Sequence, residues 1–289
     1  MSVNRHEEPL SDVGWPPAWA TAAGGRNIGF FGFSLVLLAF MATIAVVATR
    51  NRETVALLFW WGTMIAAGLT AFVYWARLGL RRRSSSRVFL SCRDEPEGTG
   101  TVIGYSFAVW LTYWAMAVVC LAGFAFLTAV SVLGLLTESF GSFSAVVAVG
   151  LFGGVTCYLL CFCFHGLRGK LAWGSVALSP HGVFHRSWSF RSYAPWDSVI
   201  AVDAAEMDGP LISLITTSDG GAWFERTSRL WKQEEMALAP SLAIRGRWLS
   251  VDPALLYHAL RYYHAHPEAR AELASTAGVQ RLQQARLTS

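Results

Sequence analysis

Charged residues disappear from four long stretches of this chain and return in the segments between them. The stretches are Asn27–Thr49, Thr54–Ala76, Val102–Leu136 and Phe143–His165. Each reaches the ~20 residues that a helix rising ~1.5 Å per residue needs to cross ~30 Å of hydrocarbon. A helix of a soluble core seldom stays uncharged for so long, because its outer face meets water. The pattern predicts four transmembrane helices, at about 27–49, 54–76, 105–130 and 143–165, in a membrane domain covering 27–166. The third stretch exceeds one span, so it either tilts or runs its Leu133–Leu136 end into the interface.

From Ala172 the pattern changes to short β-rich runs separated by turns. Ser175–Ser179, the Pro180-His181-Gly182 turn and Val183–Trp188 read as a hairpin. Further strands are predicted at Phe190–Tyr193, Val199–Ala205, Leu211–Thr217, Ala222–Arg226 and Leu242–Leu249, with Asp219-Gly220-Gly221 turning between two of them. Asp252-Pro253 reads as an N-cap followed by a first-turn proline. Leu255, Leu256, Ala259, Leu260 and Tyr263 then recur at helical spacing. The expected fold is a four-helix membrane bundle followed by a small β-barrel or sandwich closed by a C-terminal helix. Pro267 lies near the end of that helix or opens a further short one, and 276–289 is expected to be a tail.

Orientation follows from the arginines. Arg77, Arg81, Arg82, Arg83, Arg87 and Arg93 crowd the 77–101 loop, and Arg168 and Lys170 follow the fourth stretch. The opposite turns hold Glu138 in one case and Arg50 and Arg52 in the other. Lys/Arg bias in short loops keeps the richer side in the cytoplasm. The expectation is therefore an inner-membrane, multi-pass protein with both termini cytoplasmic. The 1–26 segment is a cytoplasmic lead-in, the 77–101 loop is cytoplasmic, and the β domain faces the same side. The start lacks an early apolar core, so the first span reads as retained rather than cleaved. Trp15, Trp19, Trp75 and Trp110 suit interfacial belts.

Composition narrows the function. The net charge of +4 arises largely from the arginine loop, so it is not a nucleic-acid signal. No Asp, Glu, Lys or Arg lies inside a predicted span, which argues against a proton relay or ion-coupled pump. Five cysteines fit no disulfide framework, since most of them lie within spans. In the fourth span Gly150, Gly154, Cys157, Cys161 and His165 fall within about 60° of one another on a helix. Cys157, Cys161 and His165 could meet a soft metal ion. The glycines continue the same line, which a ligand set does not require, so a helix-packing seam at Gly150, Gly154, Cys157 and Cys161 is the reading adopted. It makes a homo-oligomer a candidate state. His258, His264 and His266 lack convergent metal-ligand spacing.

No Gly-x-Ser-x-Gly, phosphate-loop, dinucleotide or His-Glu-x-x-His pattern occurs. Asp94, Glu95 and Glu97 face the arginines of the 77–101 loop, but that loop has too little apolar content to shape an enzyme pocket. Arg81, Arg82 and Arg83, and the basic-aromatic run Arg226, Arg229, Trp231 and Lys232, are candidate contacts to a membrane surface or a partner. Each such charge contributes about 1 kcal/mol beside anionic headgroups.

Val176-Ala177-Leu178-Ser179-Pro180-His181-Gly182-Val183, followed by Ala194-Pro195-Trp196-Asp197-Ser198-Val199, resembles the opening of bacterial pleckstrin-homology-like (PH-like) domains. Tyr262–Leu273 is similar to the ends of such domains in actinobacterial membrane proteins. The resemblance covers about 171–275 and marks Gly182, Pro195, Trp196 and Asp197 as fold residues. It implies an interaction module rather than an enzyme, presented to a protein partner or to membrane lipid. The first hairpin lacks the Lys/Arg cluster of phosphoinositide binders. No cofactor, metal or nucleic acid is expected. The alternative is an accessory or regulatory subunit of a transport or export system, with Tyr105, Thr112, Tyr113 and Ser131 lining a polar groove.

Overall fold

The structure, a computed structural model, describes residues 14–19, 68, 93–95, 98–137, 142–207 and 209–287. The first two apolar stretches lie outside them apart from Gly68, as do Arg77, Arg81, Arg82, Arg83 and Arg87. The described residues belong to two compact units. One takes in Ala108–Leu171, and the other is built from three separated pieces of chain: 14–19, 93–107 and 172–287.

The first unit holds two apolar helices, α1 (Phe107–Leu136, which opens on the last residue of the other unit) and α2 (Ser142–Leu167). At ~1.5 Å per residue, their 30 and 26 residues give lengths of about 45 and 39 Å, enough to cross a membrane. They pack antiparallel through small and aromatic positions. Trp114 meets Phe162 at 5.7 Å and Phe124 meets Phe152 at 6.2 Å between ring centroids. The Thr128 and Thr156 hydroxyls lie 3.2 Å apart. A Cβ on Gly166 would strike the Trp114 indole, so glycine there admits the ring.

Among the described residues, the second unit carries nine antiparallel strands. They are β1 (Arg93–Glu95), β2 (Gly98–Gly104), β3 (Ser175–Leu178), β4 (Gly182–Arg186), β5 (Phe190–Pro195), β6 (Val199–Glu206), β7 (Pro210–Thr216), β8 (Trp223–Arg226) and β9 (Leu242–Arg245). One sheet runs β1-β2-β3-β4-β5-β8 and the other β6-β7-β9. The seven strands from β3 onward lie where alternation and turn residues predict them. Gly221, at φ +76° in the turn before β8, supplies a left-handed conformation that other residues resist. Helix α3 (Pro253–Ala265) begins as its capping signal predicts: the Asp252 carboxylate accepts from Ala254 N at 2.9 Å, and Pro253 opens the first turn. Leu255, Leu256, Ala259, Leu260 and Tyr263 form its buried face.

Three expectations change. First, the third apolar stretch is not all helix. Val102 and Ile103 belong to β2, whose Thr101–Gly104 pair with Leu178–Ser175 of β3. A buried strand and a span are both apolar, and only the partner strand distinguishes them. Second, Trp19 is no interfacial residue: it is 0% exposed, and its indole N–H donates to Ala205 O at 2.8 Å. Trp15 likewise donates to the Asp252 carboxylate at 3.1 Å. Third, 276–289 is not a tail throughout. Residues Thr276–Gln283 form helix α4, with Val279 and Leu282 buried. Glu272 joins it to α3, accepting from Tyr263 at 2.9 Å and pairing with Arg281.

Membership of β2 in the β unit is testable. Ile103 is fully buried, so Ile103→Ala should destabilise the β unit by about 3 kcal/mol. Leu111→Ala, on the exposed side of α1, should leave it unchanged. Urea unfolding of the full chain in detergent, with amide exchange in β2 and β3, separates the two; equal effects would place 102–103 outside the sheet.

Candidate functional site

The most concentrated polar chemistry lies where β2 passes into α1. Tyr105 N donates to Gly174 O at 2.9 Å, and Tyr105 O accepts from the Trp173 indole at 2.7 Å. Ser106 N donates to Trp248 O at 2.7 Å, and Ser250 N to Gly104 O at 3.0 Å. The piece entering α1 and the piece leaving α2 are thus hydrogen-bonded to each other within the β unit. Gly174 is required there, because a Cβ would lie 2.3 Å from the Tyr105 ring.

The Tyr105 hydroxyl reaches inward to His185 Nε2 at 2.6 Å. Both residues are 1% exposed. Burial depresses the His185 pKa to about 3, so its imidazole is neutral at physiological pH. Burial, reinforced by the Glu235 carboxylate, raises the Tyr105 pKa above its ordinary range, which keeps its proton on. Next to this pair, the Gln233 side-chain amide bridges Ser187 and Ser189 at 2.9–3.2 Å. Arg245 Nε lies 2.8 Å from Glu235 Oε1, both side chains being buried, and Arg245 also bonds the exposed Glu234 at 3.1 Å. The Arg245 guanidinium sits 5.1 Å from the Trp248 ring, Trp248 stacks on Trp188 at 5.4 Å, and Trp231 leans on Trp188 at 6.0 Å. Buried as they are, these groups are suited to fixing the strand-to-helix junction. Breaking the Glu235–Arg245 pair would leave a buried charge, a change that typically costs 3–5 kcal/mol.

The basic-aromatic run closes onto itself. Arg226 donates to Ser228 O at 2.8 Å and to Arg229 O at 2.9 Å. Trp231 is half-buried, while Arg229 and Lys232 are exposed. Two cations thus point outward beside a ring anchored from below. Arg81, Arg82 and Arg83 lie outside the described residues.

Of the four positions that carry the PH-like resemblance, Gly182, Pro195 and Trp196 do structural work. A Cβ on Gly182 would lie 2.5 Å from Ala194 O, so glycine permits the β4–β5 approach. Pro195 pairs with Gly182 in the ladder. Trp196 is buried, and its indole donates to Ser179 O at 2.8 Å, pinning the β3–β4 turn. Asp197 is exposed and faces Arg270 at 3.8 Å, an exposed pair that contributes little.

In α2, the line Gly150, Gly154, Cys157 and Cys161 is exposed, and nothing lies within 4 Å of a Cβ built on either glycine. The contact with α1 uses Phe152, Gly153, Thr156 and Phe162 instead. His165 Nδ1 lies 3.0 Å from Cys161 O of its own helix. Among the described residues, no three His, Cys, Asp or Glu converge as metal ligands.

Sequence reading missed the Tyr105–His185 pair and the docking of Trp15 and Trp19. The available signal for the latter was the Trp15-Pro16-Pro17-Ala18-Trp19 run inside an otherwise polar lead-in. Compared with models of known protein families, with characterised proteins and with solved structures, the chain matches none.

His185 makes stability pH-dependent. Below pH 6.5 the unfolded chain takes up a proton on this ring, whereas the folded chain does so only near pH 3. Its contribution to stability is therefore complete above 6.5 and is lost on acidification, at up to about 1.4 kcal/mol per pH unit. His185→Gln removes that component, so denaturant midpoints of the two proteins should converge from pH 7 to 4. Parallel profiles would mean that the folded ring titrates normally.

Proposed function

We propose that this is a non-enzymatic, four-span inner-membrane protein that holds a cytoplasmic PH-like module for a protein partner or the adjacent leaflet. The observation that carries the reading is that one β unit is assembled from three pieces, 14–19, 93–107 and 172–287. Such a unit forms only if all three pieces lie on one side of a membrane. Any crossing by α1 must then be reversed by α2, and the 20–92 segment must cross an even number of times. Two spans at 27–49 and 54–76 satisfy this, and the arginines of the 77–101 loop assign the shared side to the cytoplasm.

The PH-like reading is supported by two antiparallel sheets followed by a capped helix, and by the turn-pinning role of Trp196. Exposed Arg229 and Lys232 beside Trp231 offer the module a contact for an acidic partner or anionic headgroups. The exposed Gly150–Cys161 line suits a neighbouring span or a second copy. The transport reading has weaker support. Thr112 and Ser131 donate to carbonyls of their own helix, at 2.7 Å in each case, and Tyr105 belongs to the β unit.

In a cysteine-free background, Thr137→Cys should react with an impermeant maleimide on intact cells. Asp219→Cys should react only after permeabilisation. Labelling of Asp219→Cys alone on intact cells would reverse the orientation, and labelling of both from outside would mean that α1 and α2 do not carry the chain across. Crosslinking in native membranes tests the module itself. Specific neighbours should be recovered with the full chain and lost from Arg229→Glu/Lys232→Glu; an unchanged neighbour set would remove this loop from the contact.

A further inference from the structure

The N-terminal segment Gly14–Trp19 docks on the β unit through contacts that the proposed function uses only to place it on one side of the membrane. It enters the β unit as a single 3-10 turn at Pro17–Trp19 and adds no strand to either sheet. Its attachment comes from two indoles and one carbonyl. Trp19 is fully buried, donates to Ala205 O of β6 at 2.8 Å, and meets the Tyr257 ring of α3 edge-on at 5.6 Å. Trp15 packs against Trp19 at 5.8 Å and donates to the Asp252 carboxylate at the start of α3. His258 Nε2, on the next turn of α3, lies 2.9 Å from Gly14 O and donates to it.

Every group that receives this segment is held by other parts of the fold. Ala205 lies in β6, which is an edge strand paired on its inner side with β7. Asp252 is already the α3 cap, bonding Ala254 N. Tyr257 and His258 stand on α3, which is also anchored by the buried Leu255, Leu256, Ala259 and Leu260. Each receiving group thus has a second anchor besides the segment. Its occupant is the kind that peptide-binding surfaces select: large, rigid aromatic anchors whose polar tips find a partner, on a proline-stiffened backbone that loses little entropy on docking.

We infer that the cleft between the β6 edge and α3 is a peptide-recognition site, occupied in this structure by the chain's own Trp-Pro-Pro-Ala-Trp segment. The partner it fits is a proline-stiffened segment with two tryptophans four residues apart, as in the cis occupant. Ala205 O and the Asp252 carboxylate take the two indole N–H groups, and His258 takes a main-chain carbonyl. The cis segment leads toward the first apolar stretch, so a partner that displaces it frees the chain ahead of that stretch. Tethering gives the cis segment an effective concentration that a free competitor must exceed. The inference stands on contacts within the β unit and does not depend on the membrane reading.

The test uses the full chain in detergent and a fluorescent synthetic peptide of residues 11–22, read by anisotropy. The Trp15→Ala/Trp19→Ala chain should bind this peptide saturably and at least tenfold more tightly than the wild-type chain. A peptide with both tryptophans replaced by alanine should not bind. Equal binding by both chains, or no loss with the altered peptide, overturns the inference. A second chain, with a protease site inserted between Ala22 and Gly25, covers the case in which the double variant fails to fold. After cleavage, excess labelled peptide should exchange into the cleft with the β unit still folded. A cut segment that never exchanges, or whose removal unfolds the β unit, makes Trp19 a fixed core residue and overturns the proposal.

Discussion

The pairing of β2 with β3 is the constraint on which the rest of this structure depends. Thr101 to Gly104 lie opposite Leu178 to Ser175, and between these strands the chain makes both described apolar helices. Two hydrogen-bonded strands must share a side of any bilayer, because a spacing of ~4.8 Å cannot bridge ~30 Å of hydrocarbon. The ladder thereby closes α1 and α2 into an out-and-back pair. It also hands the last strand residues directly to a helix, so Tyr105 serves as sheet edge, buried hydroxyl and helix lead-in at once.

Around that junction the fold pairs much of an expensive set of buried polar groups, while His185 Nδ1, Glu235 Oε2 and Trp248 Nε1 make no hydrogen bond among the described residues. Tyr105 meets His185, Gln233 bridges two serines, and Glu235 faces Arg245. A buried polar group without a partner costs roughly 1–3 kcal/mol, and an unpaired buried charge costs more. The aromatic rings that enclose these groups, Trp188, Trp231 and Trp248, supply the apolar area and lend the surface loop at 226–232 a rigid base.

The residues that look most like a signature have local structural duties. Gly182 yields space to a neighbouring carbonyl, and the Trp196 indole ties β5's end to the β3–β4 turn. Their spacing is legible because turns and their pins are short-range. The features proposed here as partner contacts are of another kind: cations beside an anchored ring at 229–232, and the cleft that holds Trp15 and Trp19. In the cleft, Trp15 meets Asp252 and Gly14 meets His258, residues more than two hundred positions apart.

What the sequence by itself determined was local. Alternation and turn residues placed the seven strands from β3 to β9, because a half-buried strand must alternate and a tight turn needs Gly, Pro or Asp. Asp252-Pro253 placed the start of α3, because orphan N–H groups need a cap. Apolar length marked out α1 and α2. The tertiary structure decided everything that required a distant partner. Val102 and Ile103 are apolar in a strand or in a span, and only β3 makes them a strand. Trp15 and Trp19 suit an interface or a cleft, and only β6 and α3 make the cleft. Residues after 275 are polar enough for a tail, and only the burial of Val279 and Leu282, with Arg281 on Glu272, makes them a helix. Periodicity reports which face of an element is apolar; which surface covers that face is decided by contacts that no local pattern encodes.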